Sequence, residues 1–431
     1  MGVAILPLAG ARRPGRYPGE VTELALPRFL ALAVFVGAYV GLSLGRIPPF
    51  RIDRTGVAVV GAAAMVLTGV LPWADAVASV DASTLVLLFG MMIVAAYLRL
   101  SGFFGIVATF AIRRARTPAG ALAAVVLASG VLSALFVNDI VCLVLAPLVV
   151  AVTRRLGLPP APYLIALATA ANVGSVATLT GNPQNMLVGS FSGIGYRTFL
   201  LREAPVALAG LACVFLVVLA VYRRRLPATL DSTPEAPAPV HRALMTKTAL
   251  AVGVMLVAFL AGVPIAVVAI AGAAYLLLTR RVKPEKVYRE IDWPLLVLFV
   301  GLFVITAGVE RAGLAGEILG PRVVASLDRP LVLTGVVALL SNLVSNVPAV
   351  LLVKTVVPQL ADPQRAWLIV AMASTLAGNL TLVGSVANLI VVESARGAGV
   401  RIGLGEYCRV GVPVTVLTLL VGWLILGILP G

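Results

Sequence analysis

Apolar segments long enough to cross a lipid bilayer recur along almost the whole chain. Of its 431 residues, 60% are hydrophobic and only 12% are charged, whereas a soluble domain carries about 25% charged residues. One aqueous core cannot bury so much apolar surface, so lipid must surround much of it. Because the apolar segments are continuous and do not alternate, a β-barrel is excluded. The sequence predicts an all-α polytopic protein of the cell (inner or plasma) membrane.

Polar interruptions divide the apolar chain into about ten predicted transmembrane helices and two predicted re-entrant hairpins. The hairpins, 119–155 and 330–358, are each too long for one span and contain a polar motif, FVNDI at 136–140 and VSNVP at 344–348. Two spans are broken helices, 161–195 and 366–395. The other predicted spans are 29–45, 56–72, 83–98, 204–222, 246–262, 264–279, 293–309 and 408–428.

The two halves of the chain repeat. Gly61, Asp81, Gly90 and Gly102 have identical counterparts 211 residues later, and TLTGNPQN at 178–185 returns as TLVGSVAN at 381–388. We assign residues 1–27 to an N-terminal tail, 28–222 to the first repeat, 223–242 to a cytoplasmic linker rich in Pro and charge, and 243–431 to the second repeat.

Each repeat crosses the membrane five times if its hairpin is re-entrant. Because five is odd, the second repeat is expected to be inverted relative to the first, as in secondary transporters. The charges support this topology. If loop 46–55 is cytoplasmic, two thirds of the Lys and Arg residues lie on the cytoplasmic side, which is where the positive-inside rule places them.

The composition also excludes several classes of partner and cofactor. The net charge of +15 is spread over short loops, so we expect no nucleic-acid partner. Cys142, Cys213 and Cys408 stand far apart, and the only histidine, His241, lies in the linker. This spacing favours neither a disulfide framework nor a metal site, and we expect no cofactor.

All eight asparagines of the chain lie at the two hairpin tips and the two broken helices, or just beside them, four in each half. A helix break inside the bilayer exposes backbone N–H and C=O groups, and each costs several kcal/mol if unpaired. Asn side chains can pair both kinds of group, while Gly181 and Gly384 permit positive φ and close approach. We therefore predict a substrate site near the membrane midplane formed by Asn138, Asn172, Ser175, Thr178, Gly181, Asn182, Asn185, Ser345, Asn346, Asn379, Thr381, Gly384, Ser385 and Asn388.

Asp139 is the only acidic residue predicted to lie deep in the membrane. The second repeat has Val347 at the matching position, so the fold does not need this acid. An intramembrane carboxyl group is by default a functional hypothesis. Because burial favours its neutral form, we interpret Asp139 as the proton-coupling residue.

Four stretches resemble the ion transporter superfamily, and most closely its arsenite-permease and plant silicon-efflux branch. They are SALFVNDIVCLVLAP (133–147), ANVGSVATLTGNPQNMLV (171–188), SNLVSNVPAVLL (341–352) and AWLIVAMASTLAGNLTLVGSVANLIV (366–391). The resemblance extends from about residue 28 over nearly the whole chain. It implies a homodimer with an elevator mechanism that exports a small oxyacid, such as arsenous or silicic acid, against proton entry.

The same superfamily includes the sodium–dicarboxylate symporters, which carry Ser-Asn-Thr at both hairpin tips. This chain departs from that pattern at both places, with Val137-Asn138-Asp139 and Ser345-Asn346-Val347. A proton is therefore the expected coupling ion. A sodium-coupled anion symporter and a sodium/proton antiporter are the alternatives within this fold.

Classes outside this superfamily find less support in the sequence. A Ser–His hydrolase would need a histidine in the membrane, and an aspartyl enzyme would need two facing acids. No Gly-rich phosphate-binding motif with Lys is present, so we predict a transporter that is neither an enzyme nor an ATP-driven pump. A passive channel stays open as an alternative. The expected partners are a small inorganic oxyacid or anion, the lipid bilayer and a second copy of the chain.

Overall fold

The computed structural model of the chain describes residues 18–44, 46–47, 52–113, 116–227, 229–230, 241–278, 282–314, 322 and 324–428. Most of the predicted linker, including residues 231–240, lies outside the described residues. Residues 1–17 of the predicted tail also lie outside them, but the first helix already begins at Pro18. The helical part of the chain therefore starts ten residues before the predicted boundary at residue 28.

The first half is a succession of helices with one short β-hairpin. Two two-residue strands, β1 (Arg46–Ile47) and β2 (Ile52–Asp53), pair antiparallel before the second helix. The helices are α1 (Pro18–Leu44), α2 (Arg54–Leu67), α3 (Trp73–Ala78), α4 (Ala82–Ser101), α5 (Phe103–Arg113), α6 (Pro118–Leu135), α7 (Asn138–Arg155), α8 (Pro160–Ser175), α9 (Pro183–Ser192) and α10 (Tyr196–Tyr222).

The second half follows the same order of long and broken helices. Short 3-10 turns also occur at Val357–Gln359 and Leu382–Gly384. The helices are α11 (Arg242–Leu260), α12 (Ile265–Leu277), α13 (Pro284–Tyr288), α14 (Trp293–Arg311), α15 (Pro330–Val344), α16 (Asn346–Val353), α17 (Pro363–Ala377), α18 (Val386–Gly397) and α19 (Leu404–Ile428).

Among the described residues, seven helices are long and apolar enough to cross a membrane: α1, α4, α6, α10, α11, α14 and α19. Three shorter apolar helices are α2, α12 and α15. The predicted broken spans are two pairs of helices, α8 with α9 and α17 with α18. The all-α polytopic fold is thus confirmed, although α5 was not predicted and α6 has the length of a full span.

The repeated residues of the sequence occupy equivalent structural positions. Asp81 caps α4 by accepting hydrogen bonds from Ser83 N and Thr84 N, and Asp292 caps α14 by accepting from Leu295 N. Gly102 and Gly313 follow the same two helices with φ of 80° and 68°. A positive φ at a helix end is strained for most residues other than Gly, which explains why Gly is present in both halves.

Two close helix crossings are related in the same way. A Cβ atom on Gly90 would lie 2.8 Å from the backbone carbon of Ala269, where α4 crosses α12. A Cβ atom on Gly301 would lie 2.7 Å from the backbone carbon of Ala58, where α14 crosses α2. Ala58 and Ala269 are 211 residues apart, as are Gly90 and Gly301. The two crossings are therefore equivalent contacts, in which a glycine of one half packs on an alanine of the other.

The helices form two packed groups. The first, the frame helices, comprises α1, α2, α4, α11, α12 and α14, among which α2 packs on α14 and α4 packs on α12. The second, the site helices, comprises α6 to α10 and α15 to α19, in which α6 packs on α8, α15 on α17 and α10 on α19. Both hairpin tips and both helix breaks belong to the site helices.

The glycines at the two helix crossings should tolerate no side chain. We expect Gly90→Ala and Gly301→Ala each to destabilise the protein by about 1–3 kcal/mol, because the new methyl group overpacks against backbone that cannot yield. Thermal unfolding of the purified protein in detergent measures this.

Gly253→Ala in α11 is the matched control, because no atom lies within 4 Å of the Cβ position there. This change should stabilise the helix by up to about 1 kcal/mol through helix propensity. Equal midpoints for all three variants would contradict the proposed close packing.

Candidate functional site

The first hairpin tip is tied to the first helix break. Phe136 and Val137 separate α6 from α7, and Asn138 begins α7. The Asn138 N–H donates to the Gly181 carbonyl (3.0 Å), which lies in the non-helical segment between α8 and α9. The Asn138 Oδ1 accepts from the Asp139 N–H (3.0 Å). Asn138 therefore fixes both the tip and the backbone that presents Asp139.

The second hairpin tip has a different backbone. Ser345 alone separates α15 from α16, with φ 81° and ψ 161°. It is the only non-glycine residue with positive φ among those that the structure describes. This region of backbone space is used almost only by Gly, and a residue held there is strained by about 1–3 kcal/mol. Such strain clusters at ligand-binding and switch positions.

The two helix breaks are held by one hydrogen-bond pattern that occurs twice. Asn185 Nδ2 donates to the carbonyls of Ser175 (3.1 Å) and Thr178 (2.9 Å). In the second half, Asn388 Nδ2 donates to the carbonyls of Gly378 (2.8 Å) and Thr381 (3.0 Å). All donor and acceptor residues are offset by 203 positions. Each break thus uses one asparagine to bond a carbonyl at the helix end, that of Ser175 or Gly378, and a carbonyl of the non-helical segment that follows.

Asn172 joins the two halves. Its Oδ1 accepts from Asn138 Nδ2 (2.9 Å) and from the Ser385 hydroxyl (3.1 Å). Its Nδ2 donates to Asn379 Oδ1 (2.8 Å) and Asn388 Oδ1 (3.1 Å). The side chain is almost fully buried. A single amide therefore links the first tip to the second break, and buried amide networks of this kind are stable only when every member is paired.

A second hydrogen bond between the halves mirrors the bond from Ser385 to Asn172. Asn182 Nδ2 donates to the Thr375 hydroxyl (3.2 Å), and Asn182 and Thr375 stand 203 residues from Ser385 and Asn172 in the opposite half. Gln184 Nε2 also donates to Thr375 (3.2 Å). The two breaks therefore contact each other reciprocally.

The role predicted for Gly181 and Gly384 needs one correction. Neither has a positive φ, so the expected left-handed backbone is wrong. Their close approach to neighbouring backbone is present. A Cβ atom on Gly181 would lie 2.2 Å from the Ser175 carbonyl oxygen, and one on Gly384 would lie 2.8 Å from that of Gly378. The breaks need Gly because the chain folds back on itself there.

Both tips and both breaks line one cavity of about 100 Å³. Four helices, α7, α9, α16 and α18, begin at this cavity. Helix N-termini carry free N–H groups and partial positive charge, which favour oxygen atoms and anions. The cavity is lined by Asn138, Asp139, Pro183, Gln184, Ser345, Asn346, Val347, Ser385 and Val386 from the site helices, with Leu42, Arg54, Leu295 and Leu298 from the frame helices and Val344 and Pro348 beside the second tip.

The structure divides the predicted site residues into two sets. Asn138, Asp139, Ser345, Asn346 and Ser385 line the cavity. The others form the buried hydrogen-bonded support behind it or the non-helical backbone of the breaks: Asn172, Ser175, Thr178, Gly181, Asn182, Asn185, Asn379, Thr381, Gly384 and Asn388. A direct contact between the second set and a ligand stays a prediction.

Asp139 is half-buried at the start of α7 and supplies the only carboxyl group among the described residues that line the cavity. The sequence predicted no other acid deep in the membrane, but a second one lies within the candidate membrane span α10. Glu203 in α10 is fully buried, and neither of its carboxyl oxygens has a hydrogen-bond partner among the described residues.

Sequence reasoning also missed Arg54 and Gln184 as residues that line the cavity. Arg54 looked like an ordinary positive residue of a cytoplasmic loop, yet it is the first residue of α2. Gln184 belongs to the TLTGNPQN motif, and its position beside Asn182 and Asn185 was the available signal.

Comparisons with known proteins agree on one family and one fold. The model of the citrate transporter family, CitMHS, matches residues 39–377. The silicon efflux transporter LSI3 of Oryza sativa subsp. japonica is 32% identical over 449 residues, which cover 87% of this chain and 92% of the rice protein. A Dictyostelium discoideum protein named as a transporter, arsB, is 23% identical over 489 residues, which cover 86% of each chain.

A solved structure supports the fold alone. The crystal structure of the Alcanivorax borkumensis YdaH transporter matches with a TM-score of 0.57 and 16% identity, and the match covers 94% of this chain and 97% of that one. All of these proteins are transporters and none is an enzyme.

Removal of either break asparagine should destabilise the protein strongly. We expect Asn185→Ala and Asn388→Ala each to lower stability by about 1–3 kcal/mol, because each removes the asparagine partner of one helix-end carbonyl, that of Ser175 or Gly378. Thermal unfolding measures this, with Thr246→Ala as the control, since that exposed hydroxyl donates to the Arg242 carbonyl within its own helix. A loss in only one of the two halves would contradict their equivalence.

Glu203 should be a stability defect of the fold. Glu203→Met should raise the free energy of unfolding by about 1–3 kcal/mol, because it removes a buried polar group without a partner. Glu203→Gln keeps a polar group there and should give no such gain. If Glu203→Met abolished transport without loss of stability, this carboxyl group would have a chemical role instead.

Proposed function

Since the chain belongs to the citrate transporter family, a family of secondary transporters, we propose that it exports a small oxyacid such as arsenous or silicic acid, driven by proton entry. The observation that carries this proposal is the cavity of about 100 Å³ that both tips and both breaks line, in which Asp139 is the one carboxyl group among the described lining residues. One water molecule occupies about 30 Å³ in the liquid. The cavity therefore suits a cargo of a few heavy atoms.

The lining matches a cargo rich in hydroxyl groups. Amide and hydroxyl side chains such as Asn138, Ser345 and Asn346 both donate and accept hydrogen bonds. The four helix N-termini add donors for the oxygen atoms of the cargo. Hydroxyl groups of the cargo also need acceptors, and an ionised Asp139 carboxylate is the strongest acceptor available in the cavity.

The protonation state of Asp139 would couple the movement of cargo to that of protons. An ionised Asp139 accepts hydrogen bonds from cargo hydroxyl groups, whereas a protonated Asp139 has lost its negative charge and part of its acceptor capacity. Cargo and proton therefore compete for the same carboxyl group. If the protein changes its accessible side only when one of them is bound, cargo leaves as protons enter.

The arrangement of helices supports a moving unit and a stationary one. The tips and breaks lie entirely on the site helices, while the frame helices form their own packed group. The reciprocal glycine crossings and break asparagines support two halves related by a pseudo-two-fold axis. An axis of this kind in the membrane plane gives the inverted repeats of alternating-access transporters. We propose an elevator in which the site helices move against the frame helices of a homodimer.

A second candidate function is sodium-coupled anion transport, and a specific observation favours it. Four helix N-termini and Arg54 against one carboxyl group give the cavity a positive balance, which suits an anion. The citrate transporter family is named for such a substrate. Transport that requires sodium and does not respond to a pH gradient would favour this second function.

Asp139→Asn should separate transport from the proton gradient. In proteoliposomes loaded with arsenous or silicic acid, we expect the wild-type protein to move cargo faster when a pH gradient is imposed. In Asp139→Asn, the flux driven by the pH gradient should be at least about tenfold lower than in the wild type, because an amide cannot exchange a proton with solution.

Glu393→Gln is the matched control, since it removes one negative charge from an exposed position on α18. Its flux should equal that of the wild type. If Asp139→Asn kept full dependence on the pH gradient, the assignment of Asp139 as the coupling residue would be wrong.

A further inference from the structure

Arg54 is the second charged residue of the cavity, and neither the family comparison nor the amide pattern assigns it a role. It is the first residue of α2, where Asp53 caps the helix by accepting from Gly56 N (2.9 Å). Its side chain is partly buried and lines the cavity together with Asp139 and Asn346. It makes no hydrogen bond or ion pair with any residue that the structure describes. A guanidinium group has five donors, and here they are available to a ligand.

The repeat shows that the fold does not require this arginine. In the second half, the equivalent helix α12 begins at Ile265, which is 211 residues after Arg54. Leu295 and Leu298 beside Arg54 correspond to Thr84 and Leu87 beside Ile265. Thr84, Leu87 and Ile265 line a separate cavity of about 300 Å³, and none of the described residues that line it is charged.

Both charged residues among the described lining of this cavity therefore depart from the repeat. Asp139 corresponds to Val347, and Arg54 corresponds to Ile265. Either exchange alone could be a neutral change on a helix end. The placement of a carboxyl group and a guanidinium group around one small space gives that space both a charged acceptor and a charged donor.

The two charges also come from different groups of helices. Asp139 is on the site helix α7, whereas Arg54 is on the frame helix α2, which packs on α1 and α14. A cargo that bonds to both would hold the two groups of helices together at this position. A contact made in only one arrangement of the helices is what gives a ligand a preference for that arrangement.

We propose that Arg54 is a cargo-binding residue that determines specificity, donating to an oxygen atom of the oxyacid from the side opposite Asp139. This inference rests on the proposed function and adds to it a cargo that bears both a hydroxyl donor for Asp139 and an oxygen acceptor for Arg54. Silicic and arsenous acids have this chemistry as neutral molecules, and inorganic phosphate has it as an anion.

The test measures binding of three probes, arsenous acid, silicic acid and inorganic phosphate, to the purified full chain at pH 7. Arg54→Gln should raise the dissociation constant of the bound probe by about 10- to 100-fold, which is the loss of affinity expected when hydrogen bonds to a charged group are removed. Arg54→Lys keeps the positive charge but not the planar guanidinium group, so its dissociation constant should lie between those of the wild type and Arg54→Gln.

Arg396→Gln is the matched control, because it removes one positive charge from an exposed position on α18; its affinity should equal that of the wild type. The melting temperature of each ligand-free variant shows whether it folds. If Arg54→Gln does not fold, the affinity of Arg54→Lys tests the proposal in its place. A larger loss for phosphate than for the neutral acids assigns an ionised oxygen to Arg54, and an equal loss assigns a neutral one.

Binding by Arg54→Gln within twofold of the wild type would overturn the role of Arg54 and leave the proposed function standing. If the wild type bound none of the three probes and showed no flux driven by a pH gradient, the proposed function itself would fail. The two failures are therefore distinguishable.

Discussion

The structure depends on how the chain satisfies its backbone where helices end inside an apolar protein. Lipid offers no hydrogen bonds, so each freed carbonyl or N–H group must find a partner within the protein. Asn185 and Asn388 each pair two such carbonyls, and Asn172 joins the breaks to each other and to the first tip. Once these groups are satisfied, four helix N-termini can meet at a polar cavity. The site is therefore a product of the same hydrogen bonds that make the fold possible.

The repeat supplies the framework, and its exceptions supply the chemistry. Equivalent caps, glycine crossings and break asparagines occur in both halves, and each serves packing or backbone pairing. Asp139 and Arg54 have no charged equivalents, and they lie at one cavity. A duplicated framework can bring two tips together by symmetry. Asp139 and Arg54 add a charged acceptor and a charged donor that the duplicated framework does not supply.

The location of the tips and breaks could be predicted from sequence, because clustered Asn, Gly and Pro are costly inside an apolar span unless the helix ends there. Arg54 could not, since positive residues are common beside membrane helices and only the packing of α2 brings it to the cavity. Glu203 was missed because the predicted span began one residue later, whereas α10 already begins at Tyr196. The strained backbone at Ser345 was also unpredictable, since serine is not a residue that signals positive φ.

The short helices α2 and α12 have a consequence for the membrane. They contain 14 and 13 residues, which at 1.5 Å per residue gives about 20 Å, well below the roughly 30 Å of bilayer hydrocarbon. Each begins beside a cavity, and where the bilayer thins to match so short a helix the insulating layer is thin as well. The membrane voltage falls across that thin layer. A charge displaced by a few ångströms there crosses a large fraction of the electric field, which makes such a site responsive to membrane potential.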